Sequence, residues 1–111
     1  MDERQTPFDA AIWAVVNAIP RGQVMAYGEV ARAAGFPRHA RMVSKAMSRS
    51  PEPLPWHRVV RADRSLAFEV GSDAFDTQRQ RLADEGVTML NGKVIAERPT
   101  DDLDALIWGP E

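Results

Sequence analysis

The sequence feature that most constrains the fold is a tight break, Ala34-Gly35-Phe36-Pro37, between two short stretches with the composition of helices. Glycine ends a helix readily because it adopts the left-handed backbone conformation, and proline is tolerated in the first turn of the next helix. The alanine-rich stretch 28–34 therefore predicts one short helix, and 37–49 predicts a second. Two short helices joined in this way are typical of a helix-turn-helix.

The second of these predicted helices carries a row of basic side chains. At 100° per residue, four basic residues fall within about 80° of one another, and the apolar residues lie opposite. Residues 20–64 hold nine basic and three acidic side chains, although the whole chain has a net charge of −2. This segregation predicts that one face meets a polyanion; a solvated helix or a chance cluster is the alternative interpretation. The row consists of Arg38, Arg41, Lys45 and Arg49.

Capping and turn signals predict the other elements. Thr6-Pro7 has the residues favoured at the start of a helix, which should run to the break at Pro20. Further helices are expected over 73–85 and over 101–108.

Strand signals are short. Val59-Val60 is typical of a strand, and Asn91-Gly92 supplies the positive φ values of a type I′ turn between 87–90 and 93–96. With 111 residues, the chain is expected to form one domain over 1–111, mostly α with a small β-hairpin.

The absence of cysteine excludes several kinds of chemistry. The chain can form no disulfide, no thiolate zinc site and no cysteine nucleophile. Its two histidines lack the spacing of a zinc motif, so no metal or other cofactor is expected. No apolar run approaches the ~20 residues of a membrane helix, and the acidic N-terminus has no signal peptide. We therefore expect no membrane contact and a cytoplasmic location, with the nucleoid if the source is bacterial.

A stiff loop leads into Trp56. Pro51, Pro53 and Pro55 fix three φ angles within five residues. A rigid entry holds the indole at a defined place, where its flat face can stack on a nucleobase or contact an alkyl group. The alternative interpretation is that Trp56 is a core residue.

The motif that begins in this loop resembles a known active site. Pro55-Trp56-His57-Arg58-Val59-Val60 is similar to the PCHRVV motif of O6-alkylguanine-DNA alkyltransferases, with tryptophan in place of the cysteine. Three further family landmarks occur in the family order: Tyr27-Gly28-Glu29-Val30-Ala31, Ala40-Arg41-Met42-Val43 and Glu85-Gly86. The tryptophan makes the chain similar to the alkyltransferase-like proteins. The resemblance implies the fold of the alkyltransferase C-terminal domain, a winged-helix-like DNA-binding domain containing a helix-turn-helix.

The resemblance also implies roles for single residues. Tyr27 would press on the phosphate 3′ of the lesion and help to rotate the nucleotide outward. Arg41 would fill the vacated space in the base stack, and Trp56 would form the floor of the lesion pocket. Together with the basic row, this gives a predicted DNA-binding set of Tyr27, Arg38, Arg41, Ser44 and Lys45, and a predicted pocket of Trp56, Val59, Phe68 and Glu69.

His57 and Glu85 match the pair that, through a water, activates the cysteine of true alkyltransferases. With no thiol to activate, we expect them to be remnants that brace the pocket; the alternative is that His57 is an ordinary buried histidine. Glu85 lies at a helix C-terminus, where the dipole disfavours an anion, so it should pair with a cation. Arg58 and Arg61 are the candidates.

Two positions depart from the family pattern. Glu69 stands where some relatives carry an arginine that contacts the alkylated base, and a carboxylate cannot make that cation–π contact. Glu69 could accept a hydrogen bond from the guanine amine, or Phe68 could take its place if the loop is shifted. Ser50-Pro51 replaces an asparagine–proline pair.

These features predict a non-enzymatic monomer that binds O6-alkylguanine in duplex DNA and flips the lesion into a pocket without transferring the alkyl group. The resemblance implies that the complex then directs the site to nucleotide excision repair through that pathway's damage-recognition proteins.

Two other functions remain open. A helix-turn-helix transcription regulator would bind a specific undamaged sequence and would need a dimerisation element for paired half-sites. A base-flipping enzyme, such as a glycosylase, would use His57 and Glu85 as acid and base and would release a base or cut the strand.

Overall fold

The protein is described by a computed structural model over residues 6–97, which form four α-helices and four short β-strands. Two 3₁₀ turns, Ala40–Met42 and Trp56–Arg58, precede the third helix and the second strand. No helix within this range is long and apolar enough to cross a membrane. The helix expected over 101–108 lies outside the described residues. The helices are α1 (Pro7–Ala18), α2 (Tyr27–Ala33), α3 (Val43–Ser48) and α4 (Asp73–Asp84), and the strands are β1 (Met25–Ala26), β2 (Val59–Val60), β3 (Thr88–Leu90) and β4 (Lys93–Ala96).

Local capping starts α1 where the sequence predicts. The Thr6 hydroxyl oxygen accepts the Asp9 backbone N–H at 3.0 Å, and Pro7 takes the first helical position. The helix stops before Ile19, whose extended backbone (φ −66°, ψ 121°) is the one that Pro20 favours in its predecessor.

Helices α2 and α3 form the expected helix-turn-helix, but the second helix starts later than predicted. The pattern predicts one helix over 37–49, whereas 37–39 form a turn, 40–42 a 3₁₀ turn and only 43–48 an α-helix. The His39 ring packs against Phe8 and Phe36, with ring centroids 5.6 and 5.7 Å away. These contacts hold the turn against α1 and keep His39 at φ −114° and ψ 27°, outside the helical region.

Two polar contacts dock α1 on α3. The Trp13 indole N–H donates to the carbonyl oxygen of Ala46 at 2.7 Å. The Arg49 guanidinium donates to both oxygens of the fully buried Asp9 carboxylate, each at 2.8 Å. A bidentate pair of this kind fixes orientation as well as distance, so it helps to set the angle between α1 and α3.

A two-residue parallel pair joins two hydrophobic clusters. β1 pairs with β2 in the register Met25↔Val59 and Ala26↔Val60. Successive strand residues face opposite sides, so Val59 packs with α1–α3 and Val60 packs with α4 and the hairpin. The first cluster is Ile12, Val16, Ile19, Val30, Ala31, Val43, Ala46 and Val59, and the second is Val24, Val60, Leu66, Phe75, Leu82, Val87 and Val94.

Helix α4 and the β-hairpin form as predicted. Ser72 caps α4 by accepting the Phe75 backbone N–H at 3.1 Å. Asn91 and Gly92 have φ values of 52° and 77°, as a type I′ turn requires. The antiparallel strands β3 and β4 then cover the second hydrophobic cluster with Val94.

Helix α4 also holds the chain on both sides of the candidate site. The amide of the buried Gln78 donates to the carbonyl oxygens of His57 and Val59 at 3.2 and 2.9 Å. Its side-chain oxygen accepts the Ala67 backbone N–H at 2.9 Å. One side chain therefore fixes two segments that are remote from each other in sequence.

Candidate nucleic-acid interface

The loop before Trp56 is fixed by its own backbone. The Trp56 N–H donates to the Leu54 carbonyl at 2.7 Å across Pro55, whose ψ of 62° is that of an inverse γ-turn. The Arg58 N–H donates to the Pro55 carbonyl at 3.0 Å and closes the 3₁₀ turn. Trp56 is therefore held between the proline-rich loop and the buried strand β2.

The Trp56 ring borders an open cleft and is only partly buried, so the alternative of a core tryptophan is wrong. The cleft measures about 410 Å³, a volume typical of small-ligand sites. One wall comes from α3 and the opposite wall from the proline-rich loop. The lining residues are Tyr27, Ser44, Met47, Ser48, Glu52, Pro53, Leu54, Trp56 and Phe68.

Three groups fix the orientation of the Trp56 ring. Phe68 and His57 meet it edge to face, with ring centroids 5.6 and 6.4 Å away. The Arg81 guanidinium carbon lies 5.3 Å from the indole centroid, within the range of a cation–π contact. Arg81 does not line the cleft, so it supports the ring without forming part of the wall.

A second, shallower depression of about 380 Å³ adjoins the cleft and shares Tyr27 and Ser44 with it. Burial raises the pKa of Tyr27, and the positive charge of Arg61 partly opposes that rise, so the phenol is a hydrogen-bond donor at neutral pH. Two guanidinium groups and two hydroxyls line this depression without a carboxylate, which suits an anion. The lining residues are Tyr27, Ala40, Arg41, Ser44, Arg61 and Ala62.

The basic segment divides into paired and unpaired cations. Three of its arginines have a carboxylate oxygen within 3.0 Å, and a paired guanidinium has less charge to offer to a phosphate. Two further arginines are engaged in other ways: Arg21 donates to the Asp84 backbone carbonyl at 3.2 Å, and the positive charge of Arg32 helps to lower the pKa of Glu29. The four other cations have no carboxylate partner among residues 6–97. The paired arginines are Arg49, Arg58 and Arg64, and the unpaired cations are Arg38, Arg41, Lys45 and Arg61.

Glu85 is buried at the C-terminus of α4 and has the cationic partner that its position requires. The Arg58 guanidinium donates to its carboxylate at 2.8 and 3.0 Å, and the Gly22 backbone N–H donates at 2.8 Å. The other candidate, Arg61, donates instead to the Ala67 carbonyl at 3.2 Å. Burial raises the pKa of Glu85, but the hydrogen bonds from Arg58, Gly22 and His57 outweigh it and lower the pKa to about 2.

His57 completes this network. Its Nε2 lies 2.6 Å from a Glu85 carboxylate oxygen, and because that carboxylate is ionised, Nε2 carries the proton. Its Nδ1 is buried and makes no hydrogen bond to another group of residues 6–97. Among residues 6–97, no group of three or more potential ligands could hold a metal ion.

Two predicted pocket residues lie elsewhere. Val59 is 1% exposed and belongs to the first hydrophobic cluster, because strand β2 turns its side chain inward. Glu69 is exposed and is not part of the cleft lining. Arg49, which belongs to the predicted basic row, forms an ion pair with Asp9 and not with the residues of the cleft.

Sequence reasoning missed the second wall of the cleft. Glu52, Pro53 and Leu54 line this wall, and only the cluster of prolines marks the stretch in the sequence. Met47 and Ser48, on the α3 wall, are also absent from the predicted pocket. The sequence offers Arg61 as one of two candidate partners of Glu85, because a linear pattern does not show that it lies beside Tyr27.

A family model for the 6-O-methylguanine DNA methyltransferase DNA-binding domain matches residues 7–87. The "DNA base-flipping protein" of Escherichia coli is 45% identical over 92 residues, covering 81% of this chain and 69% of that protein. "Alkyltransferase-like protein 1" of Schizosaccharomyces pombe is 38% identical over 86 residues, covering 76% of this chain and 80% of that protein.

Solved structures of similar proteins also match most of the chain. The chain superposes on S. pombe Atl1 in complex with damaged DNA containing O6-carboxymethylguanine with a TM-score of 0.70 and 35% identity, covering 84% of this chain and 91% of that chain. It superposes on Mycobacterium tuberculosis OGT in complex with DNA with a TM-score of 0.64 and 33% identity, covering 77% of this chain and 52% of that chain.

Proposed function

Since the chain belongs to the family of the 6-O-methylguanine DNA methyltransferase DNA-binding domain, as its ordered motifs predict, we propose that it recognises O6-alkylguanine in duplex DNA without removing the alkyl group. The observation that carries this proposal is the Trp56 ring, held in an open and mostly apolar cleft beside the helix-turn-helix. The chain has no cysteine, so no thiolate can accept the alkyl group. The predicted fold class, a mostly helical DNA-binding domain with a helix-turn-helix, is confirmed by the same family and structural matches.

In this proposal the damaged base leaves the stack and enters the cleft over Trp56. Extrusion costs a few kcal/mol, less for a damaged base, and stacking on an aromatic ring returns about 1–3 kcal/mol per base. Phe68, 39% exposed and edge-on to the indole, forms the side of the pocket. Arg41 is exposed at the adjoining depression and would enter the vacated stack.

The DNA backbone would follow the helix-turn-helix. Tyr27 and Ser44 lie between the cleft and the depression, so their hydroxyls would contact the phosphates beside the extruded nucleotide. Arg38 and Lys45 are exposed and unpaired, and they would supply phosphate contacts that do not depend on sequence.

His57 and Glu85 brace the pocket in this proposal. Their network ties the turn after Trp56 to the end of α4 and to the loop at Gly22. With no nucleophile to activate, its contribution is to hold the indole in place.

We further propose that the chain acts as a single cytoplasmic domain and a monomer, and that its complex with the lesion directs nucleotide excision repair proteins to the site. The support for this part is the resemblance to alkyltransferase-like proteins alone.

The proposal is tested by fluorescence anisotropy with two duplexes that differ only by one O6-methylguanine. We expect tighter binding to the damaged duplex, and an unchanged protein mass and an intact oligonucleotide after incubation. Equal affinity for the two duplexes would overturn the proposal and favour a transcription regulator, whereas base release or strand cleavage would favour an enzyme.

Two variants connect the selectivity to the site. Trp56→Ala should abolish the preference for the damaged duplex, and Arg41→Ala should weaken binding to damaged DNA more than binding to undamaged DNA. Arg79→Ala, which removes an exposed cation from α4 outside both depressions, is the matched control.

A further inference from the structure

Among residues 6–97, Glu52 is the one charged side chain that lines the cleft. The other lining residues are apolar or carry hydroxyls, and no cation is among them. Glu52 is exposed and has no ion-pair partner within residues 6–97. Its negative charge is therefore not neutralised by a neighbour.

The backbone around Glu52 keeps that charge at the cleft. The Ser50 hydroxyl donates to the Glu52 carbonyl at 2.6 Å, and the Glu52 N–H donates to the Ser50 hydroxyl oxygen at 3.2 Å. Pro51 and Pro53 fix the φ angles on both sides. Such a turn fixes the backbone from which the Glu52 side chain projects at the cleft.

The charges around the cleft do not offset this carboxylate. Arg81 lies on the Trp56 ring but outside the cleft lining, and Lys45 is exposed on α3 and does not line the cleft. Glu69, next to Phe68 in the sequence, is a second exposed carboxylate, but it does not line the cleft. A substituent that enters the cleft therefore meets an apolar surface with one negative rim.

We propose that Glu52 is a specificity-determining residue, which restricts the cleft to neutral or positively charged O6 substituents and disfavours anionic ones. The inference rests on the proposed function, because a substituent enters the cleft only when its base is extruded. Like charges that are brought together in a partly dehydrated cleft repel, and such repulsion selects among ligands without a new attractive contact.

The test uses four duplexes that are identical except at one position, which holds guanine, O6-methylguanine, O6-carboxymethylguanine or O6-(4-aminobutyl)guanine. The wild-type protein should bind the carboxymethyl lesion most weakly. Glu52→Gln should raise the carboxymethyl-to-methyl affinity ratio about three- to tenfold and lower the aminobutyl-to-methyl ratio, with a smaller effect at high salt. Using ratios cancels the general gain in DNA affinity that follows from losing a negative charge.

Glu69→Gln is the matched control, because it removes the same charge from an exposed position outside the cleft lining. An unchanged ratio in Glu52→Gln, or an equal change in Glu69→Gln, would overturn the inference. If the wild-type protein still prefers O6-methylguanine to guanine in that case, the proposed function stands; if it has no such preference, the proposed function itself fails. Matching thermal unfolding curves for the variants and the wild type exclude a folding defect at these exposed sites.

Discussion

Arg81 shows how a residue outside the cleft can affect what the cleft binds. Its guanidinium lies 5.3 Å from the centroid of the Trp56 ring, which is only partly buried. A cation on one face of the indole restricts the motion of the ring, and in the proposed function this restriction exists before a base enters the cleft. The Trp56 ring then loses less conformational freedom when a ligand binds. Arg81 can therefore strengthen binding without touching the ligand.

Arg81→Gln should therefore weaken binding to a duplex containing O6-methylguanine about two- to fivefold, the equivalent of a cation–π contact of about 0.5–1 kcal/mol at an exposed site. Binding to the undamaged duplex should change less, and Arg81→Lys should recover most of the loss. Anisotropy titrations measure both affinities. Arg79→Gln removes the same charge from the same helix, away from the ring, and is the control. An equal loss of affinity in this variant would show that Arg81 acts only through its contribution to the net charge.

Single residues also show which predictions a sequence supports. The Thr6 cap and the Asn91-Gly92 turn are correct because each depends only on residues within a few positions. Arg49 and Val59 were misassigned because their surroundings come from remote segments: Asp9 lies 40 positions from Arg49, and β1 covers β2. A charge or an apolar side chain does not indicate such partners in advance.

At the scale of elements, the contact between α1 and α3 depends on a buried carboxylate. Asp9→Asn should lower the free energy of unfolding by about 1–3 kcal/mol, because the Arg49 guanidinium loses its charged acceptor while its own side chain stays 44% exposed. Urea denaturation measures the change, and the double variant with Arg49→Gln should show non-additive losses. Arg38→Gln, which removes an exposed and unpaired cation, should stay within about 0.5 kcal/mol of the wild type.

The junction of α4 with the Trp56 turn predicts a specific dependence of stability on pH. The pKa of Glu85 is lowered from 4.5 to about 2 in the folded state, so its stabilising effect is complete above about pH 4.5 and is lost as the pH falls toward 2. Glu85→Gln should cost up to about 3 kcal/mol at pH 7, and this difference should shrink between pH 5 and pH 2.

Urea denaturation at several pH values checks this expectation. Part of the acid sensitivity should remain in Glu85→Gln, because the pKa values of Asp9, Glu29 and Asp63 are also lowered in the folded state. Glu52→Gln, at an exposed carboxylate with no ion pair, should follow the wild-type curve. A constant difference between Glu85→Gln and the wild type at all pH values would contradict the assigned cause.

The elements were predictable to different degrees. Helix α4 and the hairpin are specified by residues within or next to them: the Ser72 cap and the Asn91-Gly92 turn. The helix expected over 37–49 is instead divided, because Phe8 of α1 and Phe36 pack against His39 and hold its first residues in a turn. The cleft depends on this division together with the proline-rich loop. Its existence could be predicted from the family motif, but the second wall could not.

At the scale of the whole molecule, the distribution of ion pairs predicts the response of DNA binding to salt. Four unpaired cations near the helix-turn-helix give an expected slope of about −3 to −4 for log affinity against log salt on an undamaged duplex, at about 0.9 per phosphate contact. If all nine basic residues of segment 20–64 bound phosphate, the slope would be near −8. Anisotropy titrations between 50 and 300 mM salt separate the two values, and the steeper one would contradict the assignment of Arg49, Arg58 and Arg64 to internal ion pairs.

The junction made by β2 has a consequence for how this scaffold can change. Trp56 stands three and four positions before Val59 and Val60, which pack in the two hydrophobic clusters. A change in the position of Trp56 would disturb the packing of both hydrophobic clusters. Residues 48–53, on the facing side of the cleft, are mostly exposed, so substitutions there would disturb the interior less. Diversification toward other adducts, in nature or in the engineering of adduct-specific probes, is therefore expected to proceed through that rim while the indole stays constant.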